Sequence, residues 1–350
     1  MGNFALIEVN VATTDLSQAD FIEVAARFAA RERTSGEQMS EEEFDLIVAG
    51  GGIAGLTSGL GAARAGLKTL VMTGDVLGGH LLSIERIDGY PGFPDGVPGY
   101  DLCPMVQEQA TAAGAEIAAV TLTALEAQNG KWRLATGGDD YSARAVVLAT
   151  GTTLKELGVE GEARLRGKGV SHCATCDAPL LRGRVVGVVG GGDSALQEAL
   201  TLAEFASRVV IVHRGNALSA QAAYRERVTK HTKIEIRFNT VVEEVLGDSA
   251  VTGVRTRDVA SGAKADVQLS GFFVYIGLKP NTAVANGLLD IDASGRIATD
   301  AWMRTKQQGI LAAGTVRSGS AGRAVSAAGD GTTAAIAAEQ YLENGTWRAS

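Results

Sequence analysis

The sequence predicts an α/β protein built on two Rossmann-like nucleotide-binding modules. The run Gly50-Gly51-Gly52-Ile53-Ala54-Gly55 follows a short apolar strand and opens a small-residue helix. The run Gly190-Gly191-Gly192-Asp193-Ser194-Ala195 repeats that order later in the chain. Between them stands Cys173-Ala174-Thr175-Cys176. Glycines after a strand permit the tight turn and let a pyrophosphate approach the N–H groups at a helix N-terminus. A C-x-x-C pair can open and close as a disulfide. Nucleotide loops on both sides of such a pair point to electrons moving from a nucleotide cofactor to a disulfide.

Composition narrows the class. A chain of 350 residues is long enough for roughly two domains. Its 45% hydrophobic and 21% charged content is that of a soluble globular protein. The 45 glycines against 6 prolines sit in compact clusters, which fits nucleotide turns and close helix packing better than disorder. A net charge of −8 argues against nucleic acid as a partner, since phosphate binding needs basic clusters. The sequence contains no apolar run of about 18 residues, so no membrane span is expected. The N-terminus lacks the ordered basic, apolar and cleavage segments of a secretory signal. With three cysteines, cytoplasmic redox or metal chemistry is the expectation rather than a secreted disulfide scaffold.

In chain order, residues 4–11 read as a strand and 15–33 as an amphipathic helix, with Leu16, Phe21, Val24, Ala25 and Phe28 near one face. Ser17 and Asp20 resemble a capping box. The acidic stretch 37–43 reads as a linker, which makes 1–43 an N-terminal extension, either a packed peripheral element or a docking arm. Residues 44–49 form the strand before the first glycine loop, a helix runs to Ala65, and a second strand spans 68–72, completing βαβ. The acid usual at the end of that second strand is replaced by Thr73, with Asp75 two residues late. A turn-rich region holds Gly78-Gly79-His80 and Tyr90-Pro91-Gly92-Phe93-Pro94. A helix at 107–113 and strands at 116–119, 132–135 and 145–148 follow, the last ending in Ala149-Thr150-Gly151 beside the nucleotide site.

From the residues alone, Cys173 and Cys176 are a redox pair or half of a zinc site, and the chain supplies no second pair to complete the latter. Asp177 can carry a proton or cap a helix. After the cysteines come a strand at 184–189, the second glycine loop, a helix at 195–205 and a strand at 208–212 ending in His213-Arg214. One strand is expected over 266–276, a turn at 277–281, a strand at 309–313 and a small-residue helix at 327–342.

Taken together, these residues resemble the low-molecular-weight thioredoxin reductase family of flavoprotein disulfide reductases. The likeness covers about 44–342. It rests on both glycine loops, Tyr90-Pro91-Gly92-Phe93-Pro94, Cys173-Ala174-Thr175-Cys176-Asp177, Tyr275-Ile276-Gly277, Pro280-Asn281-Thr282 and Ala327-Ala328-Gly329-Asp330-Gly331. The resemblance implies a three-layer FAD domain made from two segments, 44–154 and 284–350. A nicotinamide-nucleotide domain, 155–283, is inserted between them and carries the cysteines. It also implies a homodimer in which hydride passes from nicotinamide to FAD. Electrons then reach the disulfide and go on to a thioredoxin-like protein or small disulfide. The domains must rotate, because nicotinamide and disulfide cannot occupy the same flavin face.

By the same resemblance, Cys173 attacks the partner, Cys176 faces the flavin and Asp177 is the acid–base group. Gly50, Gly52, Ala54 and Gly55 hold the ADP part of FAD. Gly79, His80, Thr150, Gly151, Gly314, Thr315, Arg323 and Ala324 complete the flavin site. Gly190, Gly192, Asp193 and Ser194, with His213 and Arg214, take NADH or NADPH.

The chain departs from the family pattern at defined positions. The family's H-R-R-x-x-x-R, which binds the NADPH 2′-phosphate, reads His213-Arg214-Gly215-Asn216-Ala217-Leu218-Ser219. Two hydrogen bonds to a charged group, at about 1.5–3 kcal/mol each, are worth roughly two decades of affinity or more, so NADH is favoured over NADPH. A ferredoxin-type donor, a dithiol oxidase and a redox sensor without turnover are the alternatives. Around the flavin, G-D-V reads Gly314-Thr315-Val316, R-Q reads Arg323-Ala324, G-G-Q reads Gly78-Gly79-His80, and the Asn before Tyr-Pro-Gly is Gly89.

Overall fold

The structure, a computed structural model, describes residues 42–347. The expected strand at 4–11 and helix at 15–33 lie outside those residues, as does most of the acidic stretch 37–43. The end of that stretch is not linker: Glu42 and Glu43 begin strand β1 (Glu42–Ala49). There they pair with Tyr141 and Ser142, because a neighbouring strand extends far enough to satisfy their backbone.

β1 carries Phe44, Leu46, Ile47, Val48 and Ala49, each at most 1% exposed. Such a run buries both faces, as a central parallel strand requires. It leads through the first glycine loop into helix α1 (Ile53–Arg64) and parallel strand β2 (Thr69–Met72). Helix α2 (Gly99–Ala112) starts eight residues before the expected 107, the bound that the sequence suggested, and carries Pro104 internally. Strand β3 (Glu116–Ala118) adds to the edge beside β2. A hairpin of β4 (Ala124–Gln128) and β5 (Lys131–Ala135) leads into β6 (Tyr141–Leu148), which returns beside β1. The hairpin meets β6 only through Trp132–Leu134 against Tyr141–Ala143.

The chain leaves this sheet through β7 (Thr152–Leu154). It then forms a second parallel sheet from β8 (Val170–Ser171), the short helix α3 (Ala174–Asp177), β9 (Val185–Gly190), helix α4 (Asp193–Phe205), β10 (Arg208–Val212), helix α5 (Ala222–Lys230) and β11 (Ile234–Arg237). An antiparallel meander of β12 (Thr240–Leu246), β13 (Gly253–Asp258) and β14 (Lys264–Gln268) covers one face. The single strand expected over 266–276 is two. β14 ends at Gln268 in the meander, and β15 (Gly271–Tyr275) enters the parallel sheet between β9 and β8. The reason is local: Ser270 N–H donates to Val185 O, turning the chain from one layer into the other.

Both faces of β9, β10 and β15 are apolar, and they feed two cores. Leu196, Leu202, Tyr224 and Val228 of α4 and α5 pack on one side with Phe273. Val242, Val245, Val254 and Val267 of the meander pack on the other with Phe272. This half is therefore three layers deep. Phe272 and Phe273 are fully buried, and truncating either to alanine should cost about 3–5 kcal/mol.

The chain returns through β16 (Leu278–Pro280), which pairs antiparallel with β7. Strand β17 (Ile310–Ala312) then occupies the same edge of β6 as the hairpin, further along at Val146–Leu148. Helix α6 (Ala324–Asn344) closes on α1. That contact is backbone-close: a Cβ on Gly331 would sit 2.2 Å from Ala54 O, and Ser58 Oγ donates to Gly331 O at 3.0 Å. The C-terminal segment thus builds the same sheet and helix layer as the first segment. No described helix is long and apolar enough to cross a membrane.

Candidate functional site

The first glycine loop is fixed by backbone approach. Gly50 has φ +127°, and a Cβ there would lie 2.2 Å from Ala149 O. A Cβ on Gly55 would lie 1.8 Å from Gly50 O. Gly52 precedes α1 and no side chain caps that helix, so the first-turn N–H groups face the open space. That space is a cavity of about 510 Å³. Gly50, Gly52 and Ala54 line it, while Gly55 stands behind them as the residue that lets the helix approach.

The other expected flavin-site residues converge on the same cavity. Gly79 and His80 line it from the turn after β2, and Thr150 and Gly151 from the end of β6. Gly314, Thr315, Arg323 and Ala324 line it from the C-terminal segment. Burial holds the His80 imidazole below its usual pKa. A second space of about 610 Å³ shares Gly50, Thr73, Thr150 and Asn281 with the first and runs on past Thr121 and Pro280. The two form one groove across the glycine loop. Uncapped helix amides, glycines whose Cβ atoms would collide and a groove on both sides of Gly50 together fit FAD.

Two positions behave differently from the family pattern. Thr73 is buried and its hydroxyl donates to Gly74 O at 3.0 Å and Ala118 O at 3.3 Å, so it is committed to the backbone. Thr315 Oγ1 lies 3.3 Å from Thr152 Oγ1. The buried acid at this end of the groove is Asp330, which the sequence showed only as part of the Ala327-Ala328-Gly329-Asp330-Gly331 motif. It accepts from Gly314 N at 3.1 Å and pairs with Arg317 through two hydrogen bonds of 2.7 Å.

The second glycine loop divides. Asp193 and Ser194 line the first cavity, whereas Gly190, Gly192, His213 and Arg214 do not. Asp193 accepts from Gln221 N at 2.7 Å and Gln221 Nε2 at 3.0 Å, and forms an ion pair with Arg323 of the C-terminal segment. His213 packs its ring where a Cβ on Gly191 would be, and its Nε2 lies 2.9 Å from Ala217 O. Arg214 is exposed. Ser219, at a position of a family arginine, donates its hydroxyl to Gly191 O at 3.2 Å.

Cys173 and Cys176 form a disulfide with Cα atoms 5.3 Å apart. Cys173 precedes α3, and its Sγ accepts from Cys176 N at 3.2 Å. Cys176 is exposed, Cys173 and Asp177 are half-buried, and none of the three lines the cavity. Asp177 does not cap the turn that follows it. Among the described residues no His, Cys, Asp or Glu cluster could hold a metal ion. Cys103 is buried, with its thiol pushed up to about 11 by loss of solvent.

Sequence reasoning missed Glu198, seen only as part of a helix, and the contacts of Gln197, Gln221 and Tyr224 with this cavity. No motif marks them: they come from helices α4 and α5 and their approach, and of the four only Gln197, Gln221 and Tyr224 reach the cavity, through the packing of the two sheets.

Comparison with known proteins gives three findings. The sequence pattern described as pyridine nucleotide-disulphide oxidoreductase matches residues 44–331. A thioredoxin reductase of Treponema pallidum is 39% identical over 306 residues, covering 87% of this chain and 98% of its own. A bifunctional thioredoxin reductase/thioredoxin of Mycobacterium leprae is 38% identical over 304 residues, covering 86% of this chain and 66% of its own. The structure superposes on that of Lactococcus lactis thioredoxin reductase in its FR conformation with a TM-score of 0.83. That match has 33% identity over 85% of this chain and 99% of the other.

Proposed function

We propose what this chain does from one premise: it belongs to the pyridine nucleotide-disulphide oxidoreductase family, among its low-molecular-weight thioredoxin reductases. It is an FAD-dependent disulfide oxidoreductase. Our reading assigns NADH, ahead of NADPH, as the donor and a thioredoxin-like protein as the acceptor. The fused thioredoxin named in the Mycobacterium leprae relative supports that acceptor. We read 44–154 with 284–350 as the FAD domain and 155–283 as the nicotinamide domain, in a cytoplasmic homodimer.

When bound, FAD supplies a two-electron carrier between a nicotinamide and a disulfide. The chain's own residues do the rest. Gly50, Gly52 and Ala54 admit the pyrophosphate to the α1 amides, and Gly79, His80, Thr150, Gly151, Gly314, Thr315, Arg323 and Ala324 enclose the ring end. Gly190, Gly192, Asp193 and Ser194, with His213 and Arg214, hold the nicotinamide nucleotide. Cys173 attacks the partner disulfide, Cys176 resolves it, and Asp177 carries the proton. The observation behind this reading is the placement of two elements. Asp193 and Ser194 share the flavin cavity, while the disulfide stands outside it with Cys176 exposed. That is an arrangement for taking electrons from the nucleotide and for presenting cysteines to a partner. A rotation of the second sheet relative to the first brings the disulfide to the cavity.

The test is an anaerobic titration of the yellow holoprotein with NADH, NADPH and dithiol in separate runs, followed by absorbance. NADH should bleach the flavin and NADPH should do so less readily. Bleaching by neither nucleotide sinks this reading. Fast reduction by reduced ferredoxin would then favour the alternative donor, for which the loss of arginines at Gly215 and Ser219 is the motivating observation.

A further inference from the structure

Beneath the disulfide lies a group that the electron path above does not use. Glu198 on α4 is 6% exposed, and its Oε2 has no hydrogen-bond partner. The helix that carries Glu198 packs against the short helix α3 that begins at Ala174, inside the ring closed by the two cysteines. The Ala174 N–H donates to the Tyr275 hydroxyl at 3.3 Å. Tyr275, on β15, is 6% exposed. The amide at the start of the cysteine helix thus holds the phenol, and the Glu198 carboxyl is buried in the same junction of α3, α4 and β15.

The charges facing this junction are acidic. Glu85, after the turn that holds His80, acts on Glu198, and Asp177 acts on Tyr275. Burial first, and then Glu85, push the Glu198 carboxyl up to about 7, against the pull of the Ala174 N–H. Burial also drives the Tyr275 hydroxyl far up, so it stays protonated. Packing alone does not call for an ionisable acid with an empty oxygen here, because an amide or an apolar side chain fills the space without that penalty.

We propose that Glu198 is a positioning residue that takes up a proton when the Cys173–Cys176 disulfide opens. The proposal rests on the disulfide-oxidoreductase reading. With a small dithiol as reductant, the protein S–S bond breaks and the dithiol's own S–S bond forms. Two electrons pass to the protein sulfurs. Of the dithiol's two protons, one goes to a protein sulfur and the other is released, leaving one protein sulfur as thiolate. Cys173, with the Cys176 N–H directed at it, is that thiolate. A carboxylate at Glu198 and a thiolate at Cys173 meet the same short helix, and their repulsion places the released proton on Glu198.

The experiment equilibrates the oxidised holoprotein with reduced and oxidised dithiothreitol between about pH 5.5 and pH 8.5. It compares wild type with Glu198→Gln. The ratio of the two reduction constants, wild type over variant, should fall by about three- to tenfold as pH rises through the Glu198 range, a coupling of half to one pKa unit. A second reading is alkylation of the reduced protein, in which the pH midpoint for Cys173 should drop in Glu198→Gln. A purely structural role changes rates or yields but leaves that midpoint in place.

If Glu198→Gln does not fold, Glu198→Leu, which likewise cannot titrate, serves as the reference, and the same fall in the ratio is expected. A ratio that is flat with pH, together with an unmoved alkylation midpoint, overturns the proposal. Dithiothreitol exchange needs no nicotinamide. Failure of NADH to bleach the flavin therefore sinks the donor reading while leaving this result standing, and a flat ratio sinks this inference alone.

Discussion

Asn281 and Thr150 hold each other twice where the chain passes between the two sheets. Thr150 Oγ1 donates to Asn281 O at 2.7 Å, and Asn281 Nδ2 donates to Thr150 O at 2.9 Å. Asn281 N also donates to Gly151 O at 3.0 Å. Both residues line the dinucleotide groove. The outgoing and returning strands, β7 and β16, are thus pinned beside the groove that we propose holds the flavin. Asn281→Ala leaves Thr150 O without that donor. We expect a loss of about 1–3 kcal/mol in stability, read by urea denaturation, together with weaker flavin retention on gel filtration.

The glycine loop gives a sharper prediction. Gly55→Ala places a methyl 1.8 Å from Gly50 O, a distance no rotamer relieves because a Cβ is fixed by its own backbone and the oxygen it meets is backbone. The variant should purify with little or no flavin, measured as the ratio of visible to ultraviolet absorbance, while circular dichroism tracks the fold. Full flavin content in a folded Gly55→Ala protein would remove the first loop from the cofactor site.

Donor choice is open to a gain-of-function test. Gly215 has ordinary negative φ and lies beside His213, and Ser219 is held only by Gly191 O. Gly215→Arg with Ser219→Arg should tighten NADPH by about 100-fold, two charge-assisted bonds' worth. NADH affinity should stay within about threefold of wild type on the same affinity scale. Stopped-flow flavin reduction at several nucleotide concentrations measures both, and equal gains for the two nucleotides would refute the assignment.

Cys103 should be silent in the native protein. With its thiol at about 11, only about one molecule in a thousand is thiolate at pH 8. Thiol titration of the oxidised protein should find no fast-reacting thiol before denaturant and one after it. A native, rapidly labelled thiol would place Cys103 in an open position that the cavity walls do not provide.

Glu198 also sets a pH dependence of stability. Its ordinary carboxyl value of 4.5 applies in the unfolded chain, against about 7 in the folded one. The folded state holds the proton more tightly, so this contribution is complete below pH 4.5 and is lost as pH rises through 7. The span corresponds to about 3 kcal/mol. The oxidised protein should therefore lose stability between about pH 5 and pH 8, and Glu198→Gln should flatten that slope in denaturant midpoints. An identical slope in the variant would mean that Glu198 does not titrate in this range.

The parts of this protein that were legible in sequence are those written in local chemistry. Gly50 to Gly55 could be recognised because a strand, a glycine turn and a helix are consecutive, and the turn's steric demand is met by glycine alone. Cys173 and Cys176 could be recognised because a C-x-x-C ring closes within a single turn. Strand limits were less legible. Across 266–276 the Ser270-Gly271 pair is the only local sign of a turn, and it does not say that the chain passes there from the meander into the parallel sheet. Glu42 and Glu43 look like linker until Tyr141 and Ser142 offer their backbones as partners.

The sequence by itself determined the two nucleotide loops, the redox cysteines, the family and the missing arginines, because each depends on residue type at short spacing. Only the tertiary structure decided which of those residues meet. It put Asp193 and Ser194 of the second loop into the flavin-side cavity and left Cys173, Cys176 and Asp177 outside it. It paired Arg323 with Asp193 and Arg317 with Asp330, and it buried Glu198 on the helix that packs against the cysteine turn. Such encounters depend on how two sheets pack across β7 and β16. A burial or a charge pair between residues far apart in sequence leaves no periodic mark for a local reading to find.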